Sequence, residues 1–124
     1  MFEWLTRKQA HDAPPTGREP IWNAGLSMAM EWGENLLKPI QPRLAASYPT
    51  LIPAELDEIN TVCQAAMKFG HDTVYRLASK SGSQTKLESF AVLMRRRYPW
   101  VDADNVSRLF NQGMYYAWKD MGFE

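Results

Sequence analysis

Between Leu56 and Ala78, apolar and small residues recur every three or four positions without interruption, and this run constrains the fold more than any other feature of the chain. Its members are Leu56, Ile59, Cys63, Ala66, Met67, Gly70, Val74, Leu77 and Ala78. The spacing places all of them on one face of an α-helix. We therefore expect a long amphipathic helix from about Pro53 to Lys80.

The chain before this helix is divided by prolines. A short helix is predicted for Phe2–His11, followed by a proline-rich linker that ends at Pro20. Proline suits the first turn of a helix, and helical spacing of apolar and small residues continues from Ile21 to Leu37. The prolines that follow forbid a long element, and they leave room for a short helix from Pro42 to about Ser47.

Two more helices are predicted after the glycine-containing break at 81–83. The sequence Thr85-x-x-Glu88 has the form of a capping box, and the apolar stripe behind it should end at Tyr98 because a proline follows. Asp102 is a good N-cap for the last helix, and Gly122 is expected to close it.

No segment shows the strict alternation that is typical of a strand. We predict an all-α fold, a compact bundle of four principal helices with one or two short extra helices and a peripheral N-terminal arm. Residues 1–20 form the arm and linker, and residues 21–124 form a single helical domain, which suits a chain of 124 residues. The predicted core consists of Leu56, Ile59, Cys63, Met67, Val74, Leu77, Phe90, Leu93, Leu109, Phe110 and Met114.

The sequence also repeats one pattern at an interval of fifty residues. Tyr48-Pro49-x-Leu51 precedes one helix, and Tyr98-Pro99-x-Val101 precedes another. If positions 52 and 102 are N-caps, the same hydrophobic staple forms at both helix entries. Two hypotheses remain open: two helix entries that solve one stereochemical problem, or an ancient duplication of a helix–turn–helix unit. One pair of units does not support a solenoid.

Composition limits the cellular setting and the class of partner. The 14 basic and 14 acidic residues cancel, which argues against a surface devoted to nucleic acid. Acids exceed bases by three in residues 21–58, and bases exceed acids by three in residues 59–124. The single cysteine excludes an intramolecular disulfide. No apolar run approaches the ~20 residues of a membrane span, so we expect a soluble cytoplasmic protein without membrane contact.

The usual catalytic patterns are missing. His11-Asp12 and His71-Asp72 could each offer two metal ligands, but a working site needs a third, and the chain has no other histidine. Cys63 and His71 stand ~12 Å apart along one continuous helix, too far for direct activation. We predict no catalytic residues, no metal and no cofactor, and an enzyme that uses scattered carboxylates remains a third alternative.

The most distinctive segment is Arg95-Arg96-Arg97-Tyr98-Pro99-Trp100. Three arginines followed by aromatic residues could hold a phosphate backbone and stack a base on Trp100. The same arginines also complement the negative end of a helix dipole. In addition, Asp102 and Asp104 would repel a phosphate at the start of the next helix. Nucleic-acid binding by Arg95, Arg96, Arg97 and Trp100 is therefore our second hypothesis for function.

Protein binding is the first hypothesis. Five tryptophans and seven methionines are many for this length, and tryptophan is enriched at interfaces. On the last helix, the apolar stripe leaves Tyr115 facing away, with Arg108 on the same side and Trp118 at the edge. We predict an adaptor, regulator or inhibitor that binds another protein through Trp100, Arg108, Tyr115 and Trp118, and a homo-oligomer remains open.

Overall fold

The computed structural model describes residues 12–123, and every regular element in that range is a helix. The predicted all-α class is confirmed. The helix predicted for Phe2–His11 lies outside the described residues. Within residues 12–123, no helix has both the length and the apolar character that a membrane crossing requires.

Five α-helices follow one another in the described part of the chain. They are α1 (Glu19–Ala29), α2 (Gln41–Ser47), α3 (Pro53–Ser81), α4 (Leu87–Arg97) and α5 (Ala103–Met121), with short 3-10 helices at Gly33–Asn35 and Gly82–Gln84. The predicted long helix is α3, the predicted short helix is α2, and α4 and α5 occupy the last two predicted segments.

The described residues divide into two compact units, one that ends at Ala65 and one that begins at Ala66. The division falls inside α3, so that each unit contains three helical segments. The single domain predicted for residues 21–124 stays a prediction.

The first unit contains α1, α2 and the beginning of α3. α1 contacts α2, and it approaches α3 at Gly25. A Cβ atom at this position would lie 2.9 Å from Cγ2 of Ile59 and 3.1 Å from Cδ1 of Ile40, so the close approach depends on the missing side chain. Next to this contact, the thiol of Cys63 donates to the backbone oxygen of Trp22 at 3.3 Å.

The second unit contains the rest of α3 together with α4 and α5. α4 contacts α5, and two glycines bring α3 and α5 together. A Cβ atom at Gly113 would lie 2.8 Å from Cβ of Val74, and one at Gly70 would lie 3.2 Å from Leu109. Val74 is branched at Cβ and has little rotational freedom in a helix. The backbone of α5 therefore packs directly against it.

The two Tyr-Pro turns have the same backbone geometry. Tyr48 ends α2 with φ −132° and ψ 75°, and Tyr98 ends α4 with φ −130° and ψ 75°. In each turn the backbone carbonyl oxygen of the tyrosine accepts a hydrogen bond of 3.1 Å from the backbone amide three residues later, at Leu51 and Val101. Both turns then lead into the next helix, at Pro53 and Ala103.

The correspondence extends beyond the turn. Gly25 packs on Ile59 in the first unit and Gly70 packs on Leu109 in the second, and positions 59 and 109 are fifty residues apart. Neither glycine belongs to a Tyr-Pro turn. The two glycines, however, are forty-five residues apart rather than fifty, so both hypotheses for the recurrence stay open.

Asp102 and Gly122 cap α5 as predicted. The backbone N–H of Asn105 donates to Oδ1 of Asp102 at 2.9 Å, and Gly122 has a φ of 70°. The capping box predicted for Thr85 and Glu88 is wrong. α4 begins at Leu87 without a side-chain cap, because the Thr85 hydroxyl donates instead to the backbone oxygen of Gly82 and closes the 3-10 helix before it.

The helix predicted for residues 21–37 is too long. It ends at Ala29, and Leu37 is 73% exposed. The backbone N–H of Met30 donates to the backbone oxygens of Leu26 and Ser27, which tightens the last turn of the helix. Three residues later, Gly33 takes a φ of +87°. A right-handed helix cannot continue through that conformation. The apolar spacing therefore continues in sequence after the helix itself has ended.

The predicted core is correct in part. Ile59, Cys63, Met67, Val74, Phe90 and Leu109 are buried, whereas Leu56, Leu77, Leu93, Phe110 and Met114 are only half-buried. Residues outside the predicted set complete the core, among them Trp22, Leu26, Ile40, Leu44, Met94 and Trp100. Most of these additions belong to α1, α2 and the Tyr-Pro turns, where the apolar stripes are too short to predict burial.

Candidate functional site

The outward face of α5 carries two large aromatic side chains. Val106, Leu109 and Ala117 are buried on the opposite face, which leaves Tyr115 43% exposed and Trp118 50% exposed. Their ring centroids lie 6.2 Å apart. This distance is within the range of an aromatic pair.

Two cations flank these rings. Lys119 Nζ lies 5.5 Å from the centroid of the Tyr115 ring, within the range of a cation–π interaction. Arg108 is exposed two helical turns earlier, ~10 Å along the helix axis from Tyr115. We call Arg108, Tyr115, Trp118 and Lys119 the aromatic strip. Three of these four were predicted from the sequence, and the packing of α5 leaves them exposed together.

Trp100 does not belong to this surface. Only 9% of it is exposed, and its ring meets Tyr98 edge-on with a centroid distance of 6.3 Å. Tyr98 in turn packs edge-on against Phe69 at 5.6 Å. The ring of Trp100 therefore fills the corner between α4 and α5, where it offers no face to a protein partner or to a nucleic-acid base.

Two of the three consecutive arginines share one cleft, and the third lies outside it. Arg95, Arg96 and Arg97 are all exposed in the last turn of α4. Arg96 and Arg97 line a cleft of about 450 Å³, and Arg95 does not. The guanidinium carbon of Arg97 lies 4.4 Å from the centroid of the Tyr98 ring. Residues next to each other on a helix are ~100° apart around its axis, and this rotation places Arg95 outside the cleft that Arg96 and Arg97 line.

The cleft lies within the second unit, between the end of α3 and α4. We call it the cationic groove; it is lined by Phe69, Thr73, Arg76, Leu77, Ser79, Lys80, Leu93, Arg96 and Arg97. Arg76 and Lys80 were not predicted as site residues. Their spacing of four positions along one helix is a signal for a shared face, but only the packing of α3 against α4 places that face beside Arg96.

His71 is tied to α5. Its Nε2–H donates to Oε1 of Gln112 at 2.8 Å, and its ring meets Tyr116 edge-on at 5.3 Å. A polar cleft of about 430 Å³ adjoins it, with Asp72, Tyr75 and Lys119 among the lining residues. In residues 12–123, no three His, Cys, Asp or Glu side chains are grouped so that they could hold a metal ion. His11 lies outside that range.

Burial lowers the pKa of His71 from its ordinary value of 6.5, although the Gln112 hydrogen bond and the nearby Asp72 carboxylate oppose the shift. The unfolded chain therefore binds the proton more readily. The stability that depends on neutral His71 is complete above pH ~6.5 and is lost as the pH falls from there through the lower pKa of the folded state. We expect the free energy of unfolding to fall more steeply from about pH 7 to pH 5 in the wild type than in His71→Gln.

Urea denaturation at each pH measures this difference, and every other ionisable group is common to both proteins. The NMR titration of the His71 ring provides the control, with a midpoint expected below 6.5. Parallel stability curves for the two proteins would show that His71 does not carry the pH dependence.

Cys63 is fully buried on α3, and burial raises the pKa of its thiol to about 12. The nucleophile in cysteine chemistry is the thiolate. A protonated, enclosed thiol that is bound to the backbone oxygen of Trp22 has the properties of a structural core residue.

Comparison with known proteins gives no relative from which a function could be transferred: no protein-family model, no curated protein and no solved structure matches this chain.

Proposed function

We propose that this protein acts by binding another protein through the aromatic strip of α5, as an adaptor, regulator or inhibitor. One observation carries the proposal: Tyr115 and Trp118 lie in ring-to-ring contact while 43% and 50% of them stay exposed. Tyrosine and tryptophan are the side chains on which binding energy in protein interfaces concentrates. A patch of this kind on the outward face of a helix suits a protein partner.

The charges beside the rings indicate the chemistry of the partner. Arg108 and Lys119 would meet carboxylates at the rim of the interface, where charge complementarity mainly raises the association rate and selects the partner. The energy would come from burial of the two rings. We therefore propose a partner with an apolar cleft bordered by acidic residues.

The nucleic-acid alternative loses support from the placement of its residues. Stacking of a base needs an exposed aromatic face, and Trp100 is buried against Tyr98. Arg95 lies away from the groove that Arg96 and Arg97 line. A separated set of arginines without a stacking ring is expected to bind oligonucleotides only in the weak, non-specific range of roughly 10⁻⁴–10⁻⁶ M at physiological salt.

The test begins with affinity capture from the native host at physiological salt, with and without nuclease. Wild type, Trp118→Ala and Tyr115→Ala serve as baits, and Val92→Ala, which truncates an apolar side chain that is 58% exposed on α4, serves as the matched control. The affinity of each bait for the purified captured protein is then measured by calorimetry. We expect Trp118→Ala to raise Kd about 30-fold or more, which corresponds to about 2 kcal/mol.

The three truncated side chains are 43–58% exposed, and circular dichroism of each variant checks that the effect on binding is read without loss of the fold. Sedimentation of the wild type shows whether the partner is a second copy of this chain. Equal Kd values for Trp118→Ala and Val92→Ala would contradict the proposal. Capture that disappears on nuclease treatment would contradict it as well, because the partner would then be nucleic acid.

A further inference from the structure

The cationic groove combines an apolar floor with a charged rim. Phe69 and Leu77 on α3 and Leu93 on α4 line it, and all three are half-buried. Half-buried apolar side chains around a cleft of about 450 Å³ gain free energy when a ligand removes their remaining surface from water. The volume lies within the range of ~300–1,000 Å³ that is typical of small-molecule sites.

Positively charged side chains line this groove on both helices, α3 and α4. Arg76 and Lys80 lie on the α3 wall, one helical turn apart, and Arg96 lies on the α4 wall. Nη2 of Arg76 donates to the Thr73 hydroxyl at 3.4 Å, and both residues line the cleft. No aspartate or glutamate is among the described residues that line it. A cleft lined by one sign of charge above an apolar wall focuses its field on an incoming anion.

We propose that the cationic groove binds a single-chain anionic amphiphile, an acyl carboxylate with its chain on Phe69, Leu77 and Leu93. Its head group would lie between Arg76, Lys80 and Arg96. Guanidinium groups bind carboxylates through paired N–H donors. The apolar floor binds the chain without directional contacts, so affinity grows with chain length by about fourfold for each methylene that is buried.

The small number of apolar side chains in the groove favours a small amphiphile over a protein helix. Helix-in-groove recognition uses anchors at i, i+3, i+4 and i+7 along several turns, and this floor consists of three side chains in one cleft. A lipid surface would need charges spread over a face, whereas Arg76, Lys80 and Arg96 line one cleft. The groove involves none of the aromatic-strip residues, so this inference goes beyond the proposed function and can fail separately from it.

Calorimetry with dodecanoate, decanoate and octanoate, each below its micelle concentration, tests the proposal. We expect saturable binding by one ligand per chain and an affinity that rises with chain length. Dodecyltrimethylammonium carries the same chain with the opposite charge and should bind at least tenfold more weakly. Acetate carries the head group alone, and it should show no measurable binding.

Three variants separate binding in the groove from general attraction by net charge. Arg96→Gln should weaken dodecanoate binding about fivefold, as the loss of one partly exposed ion pair predicts. Arg95→Gln, on the same helix turn but outside the groove, should stay within about twofold of the wild type. Leu93→Trp keeps every charge and fills the floor, and it should abolish binding. Circular dichroism establishes that each variant is folded before its affinity is measured.

Several outcomes would overturn the proposal. Equal losses in Arg95→Gln and Arg96→Gln would mean that net charge alone attracts the amphiphile. Equal affinity for the cationic amphiphile would mean that the rim is irrelevant. Sedimentation with anionic phosphatidylglycerol vesicles, in the absence of any binding to free dodecanoate, would assign the groove to a membrane surface. Binding of an acidic helical peptide but not of dodecanoate would assign it to a protein.

Discussion

Replacing Phe90 with alanine should lower the free energy of unfolding by about 3–5 kcal/mol. Phe90 is fully buried on α4, and its ring packs on Phe110 of α5 with a centroid distance of 5.9 Å. Removal of the ring leaves a cavity between two helices that are in direct contact. A small domain has about 5–15 kcal/mol of stability in total, so this loss is a large fraction of it.

Urea denaturation followed by circular dichroism measures the effect. Val92→Ala is the matched control on the same helix, because Val92 is 58% exposed and its truncation should cost no more than about 0.5 kcal/mol. If Phe90→Ala does not fold, Phe90→Leu keeps most of the volume and still reports the position, with an expected loss of about 1–2 kcal/mol. A loss below about 1 kcal/mol in Phe90→Ala would contradict the packing of α4 against α5.

Cys63 should react with thiol reagents at least a thousandfold more slowly in the folded protein than in denaturant. Burial raises the pKa of this thiol from 9.0 to about 12, which lowers the thiolate fraction near pH 8 by a factor on the order of a thousand. The side chain is also fully enclosed. Reagent access therefore requires local or global opening, which reduces the rate further.

Labelling with an aromatic disulfide reagent at pH 8, with and without urea, gives the two rates. The matched control moves the thiol by two positions along α3. In Cys63→Ala/Thr61→Cys, the cysteine replaces an exposed residue and should react at the rate of a free thiol. Fast labelling of the native wild type would instead show that the Cys63 thiol is accessible, and it would contradict the assignment of Cys63 as a structural core residue.

The sequence predicted those features that depend on neighbouring residues. The three-and-four spacing behind Leu56 predicted α3, and the proline after Tyr98 predicted where α4 ends. Asp102 and Gly122 predicted both ends of α5. Each of these signals acts within one or two helical turns, through backbone geometry and capping hydrogen bonds, and the structure satisfies each of them locally.

Local signals were misleading where two of them competed. Thr85 suits an N-cap, but its hydroxyl bonds to Gly82 because a 3-10 helix ends there. The apolar spacing as far as Leu37 suits a helix, but Gly33 takes a left-handed conformation. In both cases the sequence contains a valid pattern, and a neighbouring backbone conformation decides which hydrogen bonds are made.

The candidate sites depended on contacts between distant parts of the chain. His71 meets Gln112 across 41 positions, and Arg96 shares a groove with Arg76 and Lys80 of another helix. Trp100 was predicted to face a partner and is buried instead. Hydrophobic spacing specifies which face of a helix turns inward, but not how far that helix rotates or slides against the next one. Those two quantities are set by side-chain packing across the interface, and they decide which arginines converge and which aromatic rings remain exposed.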